Sequence, residues 1–177
     1  MPPGVPPPEI FESWTLPDGS AATLRPIRAS DMELEQAFVR NLSPQSKFKR
    51  FMSELRELSP EQLYRFTHPD HSREAAYVVI RSTVAGEEEI GVARFVADAD
   101  GETCEFAVTV ADAWQGKGVG GHLMRALLRD ACARGLKRME GYVLATNTRM
   151  LEFVRKLGFE IDLSVDDPGV RRVRRAL

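Results

Sequence analysis

An α+β domain, with a mixed and mostly antiparallel sheet flanked by helices, is the fold class this sequence predicts. Through the first half, short β-branched and apolar runs are separated by Gly-containing turns, as in hairpin-linked strands. In the second half the apolar period lengthens to three and four residues, the spacing of helices that lie on a sheet. At 177 residues, 43% hydrophobic and 28% charged, the chain has the size and composition of one globular domain. Its longest wholly apolar run, Ala75 to Ile80, is too short to span a bilayer.

Five prolines among the first eight residues lack amide donors and favour an extended, solvated backbone. Residues 1–20 are therefore read as a flexible leader and 21–177 as a single domain. After the Asp18-Gly19 turn, Thr23 to Arg28 reads as a strand. Ser30 with Glu33 has the spacing of a capping box opening a helix through about Asn41. Ser43-Pro44 and Ser59-Pro60 each set an N-cap serine before a proline at the first helical position, opening two short helices that carry Phe48, Phe51, Leu63 and Phe66. Strands at Ala76 to Ser82, Ile90 to Ala97 and Cys104 to Val110 form an antiparallel meander. From Val119 to Arg134, Val119, Leu123, Leu127 and Ala131 make an i, i+4 stripe closed by Gly135. Arg138 to Leu144 reads as a strand, and Asn147 caps a helix with Met150, Phe153, Val154 and Leu157 on one side, ended by Gly158. Two strands, Phe159 to Val165 and Val170 to Arg175, close the domain around Asp166-Asp167-Pro168-Gly169.

The formal charge of −2 gives no global attraction for nucleic acid or an anionic membrane, and neither is expected as a partner. Arg171, Arg172, Arg174 and Arg175 are read as a solvated strand edge blunted by charge. Cys104 and Cys132 sit in apolar periodic segments without metal-ligand spacing, so buried free thiols are expected. His68, His71 and His122 also lack ligand spacing and read as exposed or loop residues; no metal is expected. The N-terminus has no basic and apolar leader of the secretory kind, which predicts a cytoplasmic protein. A monomer or a homodimer fits, the latter through the C-terminal strand.

Chemistry concentrates where the strand ending at Val110 runs through Ala111-Asp112-Ala113-Trp114 into Gln115-Gly116-Lys117-Gly118-Val119-Gly120-Gly121. Glycines permit a sharp turn and close backbone approach, while the N–H groups and dipole at the start of the following helix attract a phosphate. Gly116, Gly118 and Gly121 also fit a dinucleotide fingerprint, but five residues separate them from the strand and Glu140 falls near the start of its strand rather than the end. A Walker loop fails because no Ser or Thr follows Lys117. Trp114 reads as packing rather than as a platform for a base.

These residues resemble the GNAT (GCN5-related) N-acetyltransferases: Gln115-Gly116-Lys117-Gly118-Val119-Gly120 is similar to their Q/R-x-x-G-x-G/A signature. Asn147, Met150, Phe153 and Leu157-Gly158-Phe159 are similar to a second family motif, and the order of elements fits from Thr23 to Arg175. A narrower resemblance is to the Pat-type protein lysine acetyltransferases, through Leu24-Arg25-Pro26-Ile27-Arg28, Leu42-Ser43-Pro44, Arg50-Phe51, Glu105-Phe106-Ala107-Val108 and Trp114-Gln115-Gly116. The resemblance implies the GNAT acyl-CoA N-acyltransferase fold, acetyl-CoA as co-substrate, and a protein lysine or a small amine as acceptor. It implies that Gln115, Gly116, Lys117, Gly118, Val119, Gly120 and Gly121 hold the pyrophosphate, and that Val108, Thr109 and Val110 lie along the pantetheine arm, with an N–H near Val108 as oxyanion donor.

A lysine has a pKa of about 10.4 and must lose a proton before attack. Glu105 is the implied general base; by alternation alone it would be an outward polar residue of its strand. The family's general-acid tyrosine falls on Val154, which has no proton to give. Tyr142 is the remaining candidate for that role, against a packed strand tyrosine. Asn147 has two readings, cofactor binding and helix capping.

Overall fold

The computed structural model describes residues 8–163 and 167–177. The expectations for Pro2 to Pro7 and for Val165 and Asp166 lie outside the described residues. Among those described, eight strands form one sheet in the order β1-β2-β3-β4-β5-β6-β8-β7. The strands are β1 (Glu12–Thr15), β2 (Ala21–Pro26), β3 (Glu74–Thr83), β4 (Gly86–Ala97), β5 (Thr103–Val110), β6 (Arg138–Leu144), β7 (Glu160–Asp162) and β8 (Val170–Ala176). Five helices accompany them: α1 (Met32–Asn41), α2 (Pro44–Phe51), α3 (Pro60–Thr67), α4 (Val119–Ala133) and α5 (Thr148–Lys156). β1 to β5 make the expected antiparallel meander, and β5 with β6 is parallel across the α4 crossover.

The sheet separates two cores. On one face α4 and α5 bury Leu123, Met124, Leu127 and Val154 against Leu24, Tyr77, Phe95 and Phe106. On the other, α1 to α3 bring Phe38, Val39, Phe51, Leu63 and Phe66 over Ala76, Val78, Ile80 and Val92. Each fully buried large side chain contributes about 1.5–3 kcal/mol from water exclusion. α4 rides close on β4 because Gly91 has no side chain: a Cβ there would stand 2.9 Å from both Leu123 and Val119.

Ser43 and Ser59 cap α2 and α3 as expected, accepting the N–H groups of Ser46 and Gln62 at 3.1 Å. At α1 the expected Ser30–Glu33 box is absent. Asp31 takes its place, accepting Arg28 N–H at 2.7 Å while its carboxylate grips the Arg25 guanidinium at 2.7 and 2.8 Å. A buried ionic fork outweighs a surface serine cap.

Four other expectations are corrected. Residues 12–15, read as leader, form β1, because Ile10 and Leu16 are buried on either side of it. β8 is an interior strand between β6 and β7, so its arginines are no free edge: Arg172 pairs with Asp162 at 2.7 Å and Arg175 donates to the Leu157 carbonyl at 2.6 Å. That also removes β8 as an open dimer edge. Cys104 is buried, but Cys132 is exposed on α4. His122 is half-buried on α4, its ring stacked on Trp14 at 3.8 Å and within 3.1 Å of Glu12.

Candidate functional site

The site begins where two strands part. β5 and β6 pair only through Thr103–Arg138, Cys104–Met139 and Glu105–Glu140, although both continue beyond those pairs to Val110 and Leu144. At the next step the Phe106 ring lies where a side chain on Gly141 would be, within 2.5 Å of its would-be Cβ. Alternation then decides which groups face the gap. Ala111 donates to Ile90 and Asp98 to Thr103 across the β4 side, so the N–H groups of Val108 and Val110 are directed to the β6 side and that of Thr109 to β4. Val110 and Val108 thus offer an unpaired strand edge. Thr109 does not contribute to it; its side chain is buried on the α1–α3 face.

Beyond the gap the chain turns through Asp112–Trp114 and the glycine loop into α4. Gly116 and Gly118 have φ of +74° and +89°, a left-handed backbone that glycine adopts without a Cβ penalty. The first helical bond is donated by His122 to the Gly118 carbonyl. The N–H groups of Val119, Gly120 and Gly121 therefore precede the ladder and form an anion-binding end. Gln115 reaches back across the mouth of the gap, donating to the Val110 carbonyl at 3.1 Å. Lys117 is occupied locally, by the Ala113 carbonyl at 2.9 Å and the Trp114 face at 4.8 Å. The sequence reading missed the cations that do flank the loop. Arg149 Nη2 would stand 2.6 Å from a Cβ on Gly116, and Arg125 Nη1 3.1 Å from one on Gly121. Arg125 follows Gly121 by one helical turn on α4, a spacing the sequence does show; no spacing rule links Arg149, which the packing of α5 brings in.

Glu105 stands at the vertex of the gap, on the sheet face opposite Phe106. It is exposed, yet the surrounding chain crowds it enough that desolvation pushes its pKa above the ordinary carboxylate value, helped by the charges of Asp98 and Glu140 and opposed by Arg50. A raised carboxylate pKa makes a stronger proton acceptor for as long as the group stays ionised. Tyr142, two residues beyond Glu140 on the same face of β6, is exposed rather than packed in the core. Val154 is fully buried. Asn147 caps α5, accepting the Met150 N–H at 3.3 Å. Trp114 is packed, as expected.

One link between the faces had no sequence signal. Asp112 accepts from Ser43 N–H and Oγ at 2.9 and 2.8 Å and from Ser46 Oγ at 2.7 Å. It ties the start of α2 to the turn that leads into the glycine loop. Burial alone would raise the Asp112 pKa; these hydrogen bonds reverse that and hold it below the usual value.

A parted parallel strand pair, a free strand edge and a glycine-led helix N-terminus are the features that the resemblance to acyl-CoA-dependent transferases implies. The family model for the acetyltransferase (GNAT) domain matches residues 22–160, and the chain belongs to that family. The acetyltransferase PA5475 of Pseudomonas aeruginosa is 34% identical over 153 residues, covering 86% of this chain and 82% of that protein. Acetyltransferase Pat of Mycolicibacterium smegmatis is 31% identical over 138 residues, 76% of this chain, which spans only 40% of Pat. The crystal structure of the GNAT domain of S. lividans PAT superposes with a TM-score of 0.83 at 31% identity, over 94% of this chain and 97% of that one. The expected fold is the observed one, and the protein is an N-acetyltransferase of a family whose co-substrate is acetyl-CoA.

Among the described residues no helix is long and apolar enough to cross a membrane.

Proposed function

We propose that this enzyme acetylates lysine side chains of proteins, by direct attack of the amine on acetyl-CoA with Glu105 as general base. The observation that carries the reading is the end of the β5–β6 ladder at Glu105 and Glu140, which leaves a gap beside Val108 and Val110 with Glu105 at its vertex. The residues fit an extended thioester arm: strand-edge N–H groups for an amide-bearing chain, and helix N-terminal N–H groups for a pyrophosphate. Acetyl-CoA supplies the activated acetyl group.

In this reading Val119, Gly120 and Gly121 hold the pyrophosphate, with Gly116 and Gly118 shaping the loop and Arg149 and Arg125 adding charge. Val110 and Val108 orient the arm, and the Val108 N–H polarises the thioester carbonyl. Glu105 Oε takes a proton from the ammonium, and the neutral amine then attacks the thioester carbonyl and expels the thiolate of CoA. No acid is required at Val154, since a thiol of pKa about 8.5 leaves tolerably as thiolate.

The openness of Glu105 favours a protein-borne acceptor. The small cavity under α1 to α3, lined by Glu35, Arg50, Arg94 and Thr109, holds about 10 Å³, room for about one water. The resemblance to Pat-type enzymes points the same way. The test is mass spectrometry of label transferred from acetyl-CoA into a mixture of cellular protein and common polyamines, with Glu105→Gln in parallel. Glu105-dependent label on protein lysines is expected; label confined to small amines moves the acceptor class, and tight acetyl-CoA binding without transfer by either form contradicts the enzyme reading.

A further inference from the structure

The sheet face that carries Glu105 is covered on one half. Helix α1 packs on β4 and α2 on β5; past β5 the same face is exposed at Arg138, Tyr142, Arg174 and Glu160. The register sets one row of side chains across it: Glu105 stands opposite Glu140, Glu140 opposite Arg174, and Arg174 opposite Glu160. Directly opposed residues share a face, and neighbouring strands lie about 4.8 Å apart, so the Arg174 backbone is about 10 Å from that of Glu105. Charge changes sign along the row, from two carboxylates to a guanidinium. At that guanidinium the surface opens into a groove of about 970 Å³. Its walls carry Arg138, Lys156, Arg174 and Arg175 against one carboxylate, Glu160, with Leu157 as an apolar patch. Lys156 stands 3.2 Å from Glu152, and Arg175 donates to the Leu157 carbonyl at 2.6 Å. Arg138 and Arg174 donate no hydrogen bond to any described residue.

We propose that this groove docks the acceptor protein through an acidic segment that flanks the acetylated lysine. The inference rests on the reading of Glu105 as base and of a protein lysine as acceptor, and deepens it by naming a sequence preference. A lysine presented to Glu105 lies beside the paired carboxylate of Glu140 as well, and both favour its ammonium. An extended chain advances about 3.3 Å per residue, so positions about three to six residues from that lysine pass over Arg174 and into the groove. Carboxylates at those positions meet guanidiniums whose donors are unused, a pairing that the planar fork of arginine suits. A basic segment meets like charge there, so the groove discriminates as well as attracts. Its continuity with the row that begins at Glu105 assigns it to the acceptor rather than to a free anion.

The experiment measures kcat/KM for three single-lysine peptides that differ only at positions about three to six residues from the lysine on either side, filled with aspartate, asparagine or arginine. The enzymes are the intact wild-type chain, the double variant Arg138→Gln with Arg174→Gln, and the double variant Arg138→Glu with Arg174→Glu. Acetyl-CoA affinity and melting temperature are recorded for each. The wild type should favour the aspartate over the asparagine peptide by about three- to tenfold, and the preference should shrink as salt is raised. The glutamine pair should abolish it and the glutamate pair should invert it in favour of the arginine peptide, with acetyl-CoA affinity unchanged in both. Where the glutamate pair folds poorly, the glutamine pair, which introduces no new charge, carries the test. A wild type that uses the three peptides alike overturns the proposal, as does an aspartate preference that the double variants retain. If polyamines are acetylated and no peptide is, the protein-lysine reading fails and this inference with it; Glu105-dependent transfer to peptides regardless of flanking charge overturns the groove alone.

Discussion

Glu89 shows how a single residue can escape a sequence reading. It ends the run Glu87-Glu88-Glu89, which has the pattern of a solvated face, and the strand was expected to begin at Ile90. The register contains a bulge instead: Val79 is opposite Gly91 and Ile80 opposite Glu89, leaving Ile90 as the extra residue. The bulge turns Glu89 inward beside Glu35, where neither of its oxygens has a hydrogen-bond partner among the described residues. Desolvation, then the charge of Glu35, push its pKa well above the ordinary value. A carboxyl group raised in the folded state contributes full stability below its unfolded pKa of about 4.3, and that contribution is lost as pH rises toward the folded value. Glu89→Gln should therefore melt higher than the wild type, by a margin that widens from pH 5 to pH 8 at up to about 1.4 kcal/mol per pH unit. Thermal melts across that range check it; a margin independent of pH would speak against a neutral Glu89. The sheet face on which Glu105 lies, by contrast, was legible, because alternation set it opposite Phe106.

Elements were easiest to read where a local rule and tertiary packing agreed. α4 and α5 have unbroken apolar stripes with glycine after their ends, and both lie within a residue or two of expectation. β1 was lost because four residues, Glu12–Thr15, are too few to display a period, and α1 was miscapped because the deciding partner, Arg25, sits on the previous strand. The glycine loop was visible as composition, but the flanking Arg149 was not, since it arrives from another helix. Gly118 at φ +89° gives an element-level prediction. Gly118→Ala strains the left-handed position by about 1 kcal/mol and tilts the N–H groups of the first turn, so acetyl-CoA affinity should fall while the melting temperature changes little; calorimetric titration decides. Asp112→Ala takes the acceptor away from Ser43 and Ser46 at the start of α2 and should cost about 1–3 kcal/mol, with KM for the acceptor rising more than KM for acetyl-CoA. At the vertex, Gly141→Ala drives a methyl group into the Phe106 ring, and overpacking of this kind costs about 1–3 kcal/mol; a chemical denaturation midpoint unchanged from wild type would contradict the close packing of that ring on the glycine.

At the scale of the whole molecule, the sheet is continuous across eight strands yet opens along part of one seam. Helices α4 and α5 close one face behind the opening, α1 to α3 cover the other face up to β5, and Glu105 stands at the junction. The order of elements made the meander and the crossover legible. The seam itself was not, because no local signal in β5 or β6 marks where their ladder ends. That seam makes Glu105 both accessible to an acceptor and adjacent to the strand edge that would hold the thioester.

The most direct test is single-turnover acetyl transfer to a lysine-bearing protein substrate at saturating acetyl-CoA, comparing the wild type with Glu105→Gln at one pH on the wild-type plateau. The account predicts a rate lower by about 10²- to 10⁴-fold, the usual worth of a general base, with the acetyl-CoA dissociation constant unchanged. A rate within threefold of wild type would remove Glu105 from the chemistry and contradict the account at its centre.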